Sequence, residues 1–186
     1  MKKLNALLII LFLFLIYYCE SPMERTNDKK QYYPLEIGNK WYYSYDQTDI
    51  STYNYIVEII GDTTINNKFY YKKMSYFFPK NGTYFISYIR TDSSRIYNGG
   101  FSYSNGIHTF TESLSADFSM NVGDTIRTNE YDYITVKERD ENIIKINVYS
   151  DGLHGWTKYK RGIGIIERFS SNAIMHITIL VKSELK

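Results

Sequence analysis

The chain has 186 residues, 22 basic and 20 acidic side chains, and a single cysteine, Cys19. So even a balance leaves no basic surplus for phosphate backbones, and no nucleic-acid partner is expected. One cysteine permits no internal disulfide, which excludes the small disulfide-stapled scaffolds and leaves packing to supply the stability.

The chain opens with a short positive head, Lys2 and Lys3, followed by Leu4 to Ile16, apolar apart from Asn5. Thirteen helical residues rise about 20 Å, whereas a hydrocarbon core is about 30 Å thick. The run is short for a spanning helix and suits the apolar region of a secretory signal. Signal peptidases cut after small residues, but Ile16, Tyr17 and Tyr18 are bulky. Cys19 supplies a different ending. The stretch Ile16-Tyr17-Tyr18-Cys19 resembles the lipobox of bacterial lipoproteins in its apolar third residue and its cysteine. It departs from the lipobox at Tyr18, where Gly, Ala or Ser is usual. The resulting division is a signal peptide over 1–18, a lipidated cysteine and flexible tether over 19–30, and an antiparallel β domain over 31–186. An uncleaved signal anchor, or a cut elsewhere with Cys19 incidental, are the alternatives. The stretch from Glu20 to Lys30 is polar and lacks periodicity, as a tether should, and reaches at most about 36 Å when extended.

Beyond the leader no helical pattern is found, and period-two alternation recurs. In Tyr53 to Ile59 the odd positions are apolar or aromatic, while Asn54 and Glu58 face away. Ile144, Ile146 and Val148 alternate with Lys145 and Asn147. Met175, Ile177, Ile179 and Val181 alternate with His176 and Thr178, which the pattern sends to the wet face. Each pattern describes an antiparallel sheet with one solvated side. Asn66-Asn67, Asn81-Gly82, Asn105-Gly106 and Asp151-Gly152 separate such runs and suit tight hairpin turns. Twelve segments result: 40–46, 52–60, 68–77, 83–91, 94–98, 107–113, 125–128, 131–139, 143–149, 154–160, 163–169 and 173–182. With some of these segments merged, about ten strands are expected. The fold class is all-β: one antiparallel, strongly coiled sheet, half-barrel or sandwich-like, built from consecutive hairpins.

Two short stretches echo one another. Glu36-Ile37-Gly38-Asn39-Lys40-Trp41 and Asn121-Val122-Gly123-Asp124-Thr125-Ile126 each place an apolar residue, Gly, then Asn or Asp ahead of a large strand residue. Each reads as a tight turn launching a strand, with Trp41 as a plug for the sheet.

Pro34-Leu35-x-x-Gly38-Asn39-x-Trp41-x-Tyr43, Val122-Gly123-Asp124-Thr125 and Tyr159-x-x-Gly162-Ile163-Gly164-Ile165 together resemble a loose group of envelope lipoproteins of Bacteroidota-type bacteria. The resemblance implies a curved antiparallel sheet, comparable to lipoprotein-carrier half-barrels, at the cell envelope. It implies no catalytic residue. Gly162 and Gly164 lack side chains on one face, which suits a bulge, a bend or a close approach.

Chemistry is sparse. His108, His154 and His176 show no metal-ligand spacing, and no metal or cofactor is expected. No nucleophile elbow is present. The carboxylates Asp46, Asp49, Glu58, Asp62, Glu112, Asp117, Asp124, Glu138 and Glu167 are scattered, and a glycosidase would need two of them about 5–9.5 Å apart. Aromatic rows at 69–71, 76–78, 84–88 and 101–103 either line a concave face or form the core. The expected role is a lipid-anchored, non-catalytic module of the cell envelope, on the periplasmic face or at the cell surface, that binds an apolar ligand or an envelope protein. The alternative is an envelope hydrolase acting on glycan or peptide. A membrane-spanning barrel fits poorly, because Lys72, Lys73, Arg90, Arg95, Lys137 and Lys145 interrupt the runs.

Overall fold

The computed structural model describes residues 32–45, 53–77, 83–128, 130–150, 152–171 and 176–186. The leader, Cys19 and the tether lie outside them, as do Asn81-Gly82, Asp151, Asp46 and Asp49. Twelve strands run through the described residues: β1 (Lys40–Ser44), β2 (Tyr55–Ile65), β3 (Lys68–Phe77), β4 (Tyr84–Asp92), β5 (Arg95–Ser104) and β6 (Ile107–Asp117), then β7 (Thr125–Arg127), β8 (Tyr133–Arg139), β9 (Ile143–Ser150), β10 (Leu153–Lys160), β11 (Gly164–Ser170) and β12 (His176–Glu184). All twelve expected segments are present and none merges. They form one antiparallel sheet in the order β6-β5-β4-β3-β2-β1-β12-β11-β10-β9-β8-β7. Each half of the chain is a six-strand meander, and the halves join where β1 pairs with β12.

The connection between the two edges shows that the sheet must coil. Twelve strands laid flat would put β6 and β7 about 53 Å apart, at about 4.8 Å per strand. Residues 118–124 alone join Asp117 to Thr125, and such a link spans at most about 29 Å. The edges approach one another but do not pair, so the sheet is an open, curled one and not a closed barrel. Asp117 fixes the start of this crossing. Its carboxylate accepts from Ser94 Oγ at 2.9 Å, Arg95 Nε at 2.8 Å, and the backbone N–H and hydroxyl of Ser119 at 2.9 and 2.6 Å.

The two echoing turns have the same geometry. Gly38 N–H donates to Ile59 O at 2.7 Å and Ile59 N–H to Asn39 O at 3.0 Å, while Asn39 N–H closes the turn on Glu36 O at 3.0 Å. In the second half Gly123 N–H donates to Val136 O at 2.9 Å, Val136 N–H to Asp124 O at 3.2 Å, and Asp124 N–H to Asn121 O at 3.1 Å. Gly38 and Gly123 sit at φ +96° and +92°, a backbone region that side chains resist. Each receiving strand then carries a register shift just beyond, at Ile59/Gly61 and at Val136/Glu138. The two meanders therefore begin with one and the same device.

The inner face of the coil carries the core. Trp41, Tyr43, Val57, Ile59, Ile89, Ile96, Ile144, Ile146 and Tyr159 are buried there, joined by Ala116 near the end of β6 and Met120 on the crossing. Alternation in β2 and β9 is as expected: Val57, Ile59, Ile144 and Ile146 are inside. In β12 the expected faces are exchanged. Thr178 is buried, and Leu180 packs on the core beside its register partner Tyr43. The reason is Leu180 itself, whose burial against Tyr43 sets the parity of the strand, while Ile177 and Ile179 lie opposite Phe169 and Glu167 on the outer side.

Candidate functional site

The residues of the three sequence motifs gather at one end of the inner face. Asn39 ties the domain's opening to its close: its Nδ2 donates to Pro34 O at 3.1 Å and its Oδ1 accepts from Lys186 N–H at 2.8 Å. Leu35 packs on the core. Trp41 is wholly buried and its indole N–H donates to Ile163 O. Gly164 opens β11 at φ +100°, and an added Cβ there would stand 3.0 Å from Tyr33 Cδ2 and 3.3 Å from Trp41 Nε1. Its lack of a side chain admits those two rings, 5.0 Å apart. Gly162 belongs to the turn before β11, at φ +73°. Tyr159 is buried, with Phe118 edge-on at 5.3 Å. Asp124 accepts from Asn121 N–H at 2.7 Å within the second turn. Trp41, Tyr33 and Tyr159 fill this end of the coil with the chain's own side chains, while Val122, Gly123 and Asp124 lie exposed.

The rest of the inner face differs in character. Tyr43, Tyr45, Tyr55 and Phe77 form a wall of rings, with Tyr45–Tyr55, Tyr45–Phe77 and Tyr55–Phe77 centroids 5.8, 6.0 and 5.7 Å apart. Burial pushes the Tyr43 hydroxyl far above its usual range and Tyr45 up to about 12. Two cations stand on this face, Lys73 half-buried and Arg168 exposed. Lys73 stands on β3 between Tyr71 and Ser75, opposite Ile59 on β2 and Ser87 on β4. Arg168 stands on β11 between Thr157 and Thr178. Burial lowers the Lys73 ammonium to about 8, and the Arg168 charge pushes it the same way. Among the described residues neither cation has an ion pair. Lys73 Nζ reaches instead to Asn98 Oδ1 on β5, at 3.2 Å.

Asn98 leads to a groove. It lines an open depression of about 420 Å³ with Gly99, Gly100, Thr111, Glu112 and Ser113, on β5 and β6. Asn98 Nδ2 is fixed by Ser115 Oγ at 2.6 Å, which turns its carbonyl oxygen toward Lys73. Gly100 faces open space, and Thr111 is its register partner. Small hydroxyl and amide side chains beside an uncompensated ammonium can hold an anionic or polyhydroxy group by hydrogen bonds and charge.

Glu112 at the groove is committed to its own chain. Arg90 grips it through Nε at 2.6 Å and Nη2 at 2.9 Å, Lys68 Nζ adds a contact at 3.0 Å, and the Tyr70 hydroxyl donates to it. The Arg90 guanidinium, first among these partners, holds the carboxyl at about 2. A carboxylate so held stays ionised at neutral pH and is a poor general acid. The other described candidates are similarly engaged: Glu58 with Lys40, Glu138 with Lys145 and Glu167 with Lys158. His108 lies beside Tyr103 on the β5–β6 hairpin and His154 beside Phe169 on β10, so the two are not brought together. Among the described residues no three His, Cys, Asp or Glu side chains could share a metal ion.

Sequence reasoning missed Lys73, Asn98 and Arg168 as a group. A signal was present: two adjacent lysines, Lys72-Lys73, inside a strand force one of them inward whatever the register. The aromatic rows divide between faces. Tyr71, Phe77 and Phe85 share the inner face with Ile89, while Tyr70, Tyr88, Phe101 and Phe110 cluster on the outer face with centroids 5.1–5.7 Å apart.

No protein-family model matches the chain, and no curated protein matches it in sequence. Among solved structures it is similar to a candidate lipoprotein from Parabacteroides distasonis, at 10% identity and a TM-score of 0.45, over 83% of this chain and 99% of the other.

Proposed function

We propose that this protein is a lipid-anchored, non-catalytic binding module of the cell envelope. Cys19, after a leader too short to span a bilayer, supports the anchor. The ligand site is the inner face between the ring wall and the β5–β6 groove. The observation that carries this reading is Lys73: a half-buried ammonium with no carboxylate partner among the described residues, bonded to Asn98 at the edge of an open polar groove. An uncompensated cation kept in a partly dry interior costs stability, and an anionic ligand would offset that cost. With small polar side chains on one side and a wall of tilted rings on the other, the chemistry fits an acidic carbohydrate better than the apolar ligand expected of an apolar concave face. At its closed end the face is filled by Trp41, Tyr33 and Tyr159, which shortens the space an acyl chain would need.

Titration calorimetry of the full chain in detergent tests this with a galacturonate oligomer and a neutral glucose oligomer of equal length. Binding of the acidic oligomer, weakened at least about tenfold by Lys73→Met, is the expected result; about tenfold corresponds to 1.4 kcal/mol. Equal binding of both oligomers, or binding of neither, contradicts it.

A further inference from the structure

The sheet ends on β6 at one side and β7 at the other. β7 is three residues long and β6 eleven. Natural edge strands are guarded by lysine, proline or a bulge against pairing with another chain. From Ile107 to Ser113, β6 reads Ile-His-Thr-Phe-Thr-Glu-Ser, with neither lysine nor proline, and its register with β5 is unbroken. Beside this edge Phe101, Tyr103 and Ile107 are 52%, 68% and 64% exposed.

The hairpin turn shows which groups face outward. Asn105 and Gly106 have φ +52° and +80°, the two-residue turn that makes Ser104 and Ile107 a hydrogen-bonded pair. Bonding alternates from there, so the N–H and C=O groups of His108, Phe110 and Glu112 point to the open edge. Among the described residues nothing pairs with them.

We infer that β6 pairs antiparallel with β6 of a second copy about a two-fold axis at Phe110. The sequence is self-complementary in that register alone. His108 faces Glu112 of the second copy, Thr109 faces Thr111, and Phe110 faces Phe110. An imidazole meets a carboxylate that is ionised at neutral pH, and threonine pairs hydrogen-bond across strands. A shift of two residues either way sets Phe110 against Glu112 or His108. A shift of one exchanges the faces. Each outward N–H and C=O gains a partner, and the sheet continues across both copies as an isologous dimer. The inference stands independently of the ligand proposed above.

Sedimentation of the full chain in detergent tests it, with two variants and their mixture. The parent should sediment as a dimer. Thr109→Lys/Thr111→Lys and Thr109→Glu/Thr111→Glu should each associate at least about tenfold more weakly, because like charges then face one another. An equimolar mixture of the two should dimerise again. A monomeric parent overturns the inference. So does a lysine variant that dimerises as tightly as the parent, or a mixture that does not pair.

Discussion

Arg90 on β4 reaches past β5 to hold Glu112 on β6, with its guanidinium 3.9 Å above the ring of Tyr97 between them. One ion pair therefore binds three strands at the edge of the sheet, with both side chains largely shielded from water. Glu112→Gln leaves the guanidinium without its charge partner. A loss of about 2–3 kcal/mol in unfolding free energy is expected by denaturant titration. A change below about 0.5 kcal/mol would mean that the pair does not organise this edge.

Acid weakens the same region. Glu112 is held at about 2 by Arg90, first among its partners. At Asp117 burial acts upward, and hydrogen bonds from Ser119, Arg95 and Ser94 outweigh it to leave the carboxyl at about 2. Both folded values lie below the unfolded ones of 4.5 and 3.8. Their stabilisation is thus complete above about pH 5 and lost as pH falls toward 2. Unfolding free energy measured from pH 6 to pH 2.5 should fall steeply below pH 4.5, and Glu112→Gln should flatten part of that fall.

The alkaline side combines two opposing effects. Lys73 is lowered by burial from 10.5 to about 8, so between those values the unfolded chain binds more protons and stability rises with pH. Burial raises Tyr45 and Tyr159 to about 12, so above pH 10 the unfolded chain loses these protons first and stability falls. A shallow maximum near pH 9–10 is expected in the thermal midpoint. Lys73→Met should remove the rise between pH 8 and 10 and leave the later fall.

Two glycine substitutions separate fold from groove. Gly164→Ala would put a methyl 3.0 Å from Tyr33 at φ +100°, and a cost of about 1–3 kcal/mol is expected. Gly100→Ala meets nothing within 4 Å, so stability should stay within about 0.5 kcal/mol. It narrows the groove, however, and should weaken the acidic oligomer without shifting the thermal midpoint.

The hairpins were legible in the sequence because alternation and turn residues are local. Asn105-Gly106 and Asn66-Asn67 do adopt the positive φ their composition suggests. The shared device of the two meanders was legible as well, since Gly38-Asn39 and Gly123-Asp124 each need only a nearby strand to complete it. What joins distant strands was not. Alternation gives the face on which Lys73 lies, but not that its ammonium reaches Asn98, 25 residues later. It missed the parity of β12, because Ile177, Ile179 and Val181 outnumber Leu180 while Leu180 has the core contact. The coil follows from the seven residues between β6 and β7 only once the strand order is known.

The most direct test is the mass of the mature amino end, read together with fractionation of cells carrying the parent or Cys19→Ser. The account predicts an acylated Cys19 as the first residue of the parent, and loss of the serine variant from the membrane fraction. An unmodified Cys19, with both proteins equally membrane-bound, would contradict it.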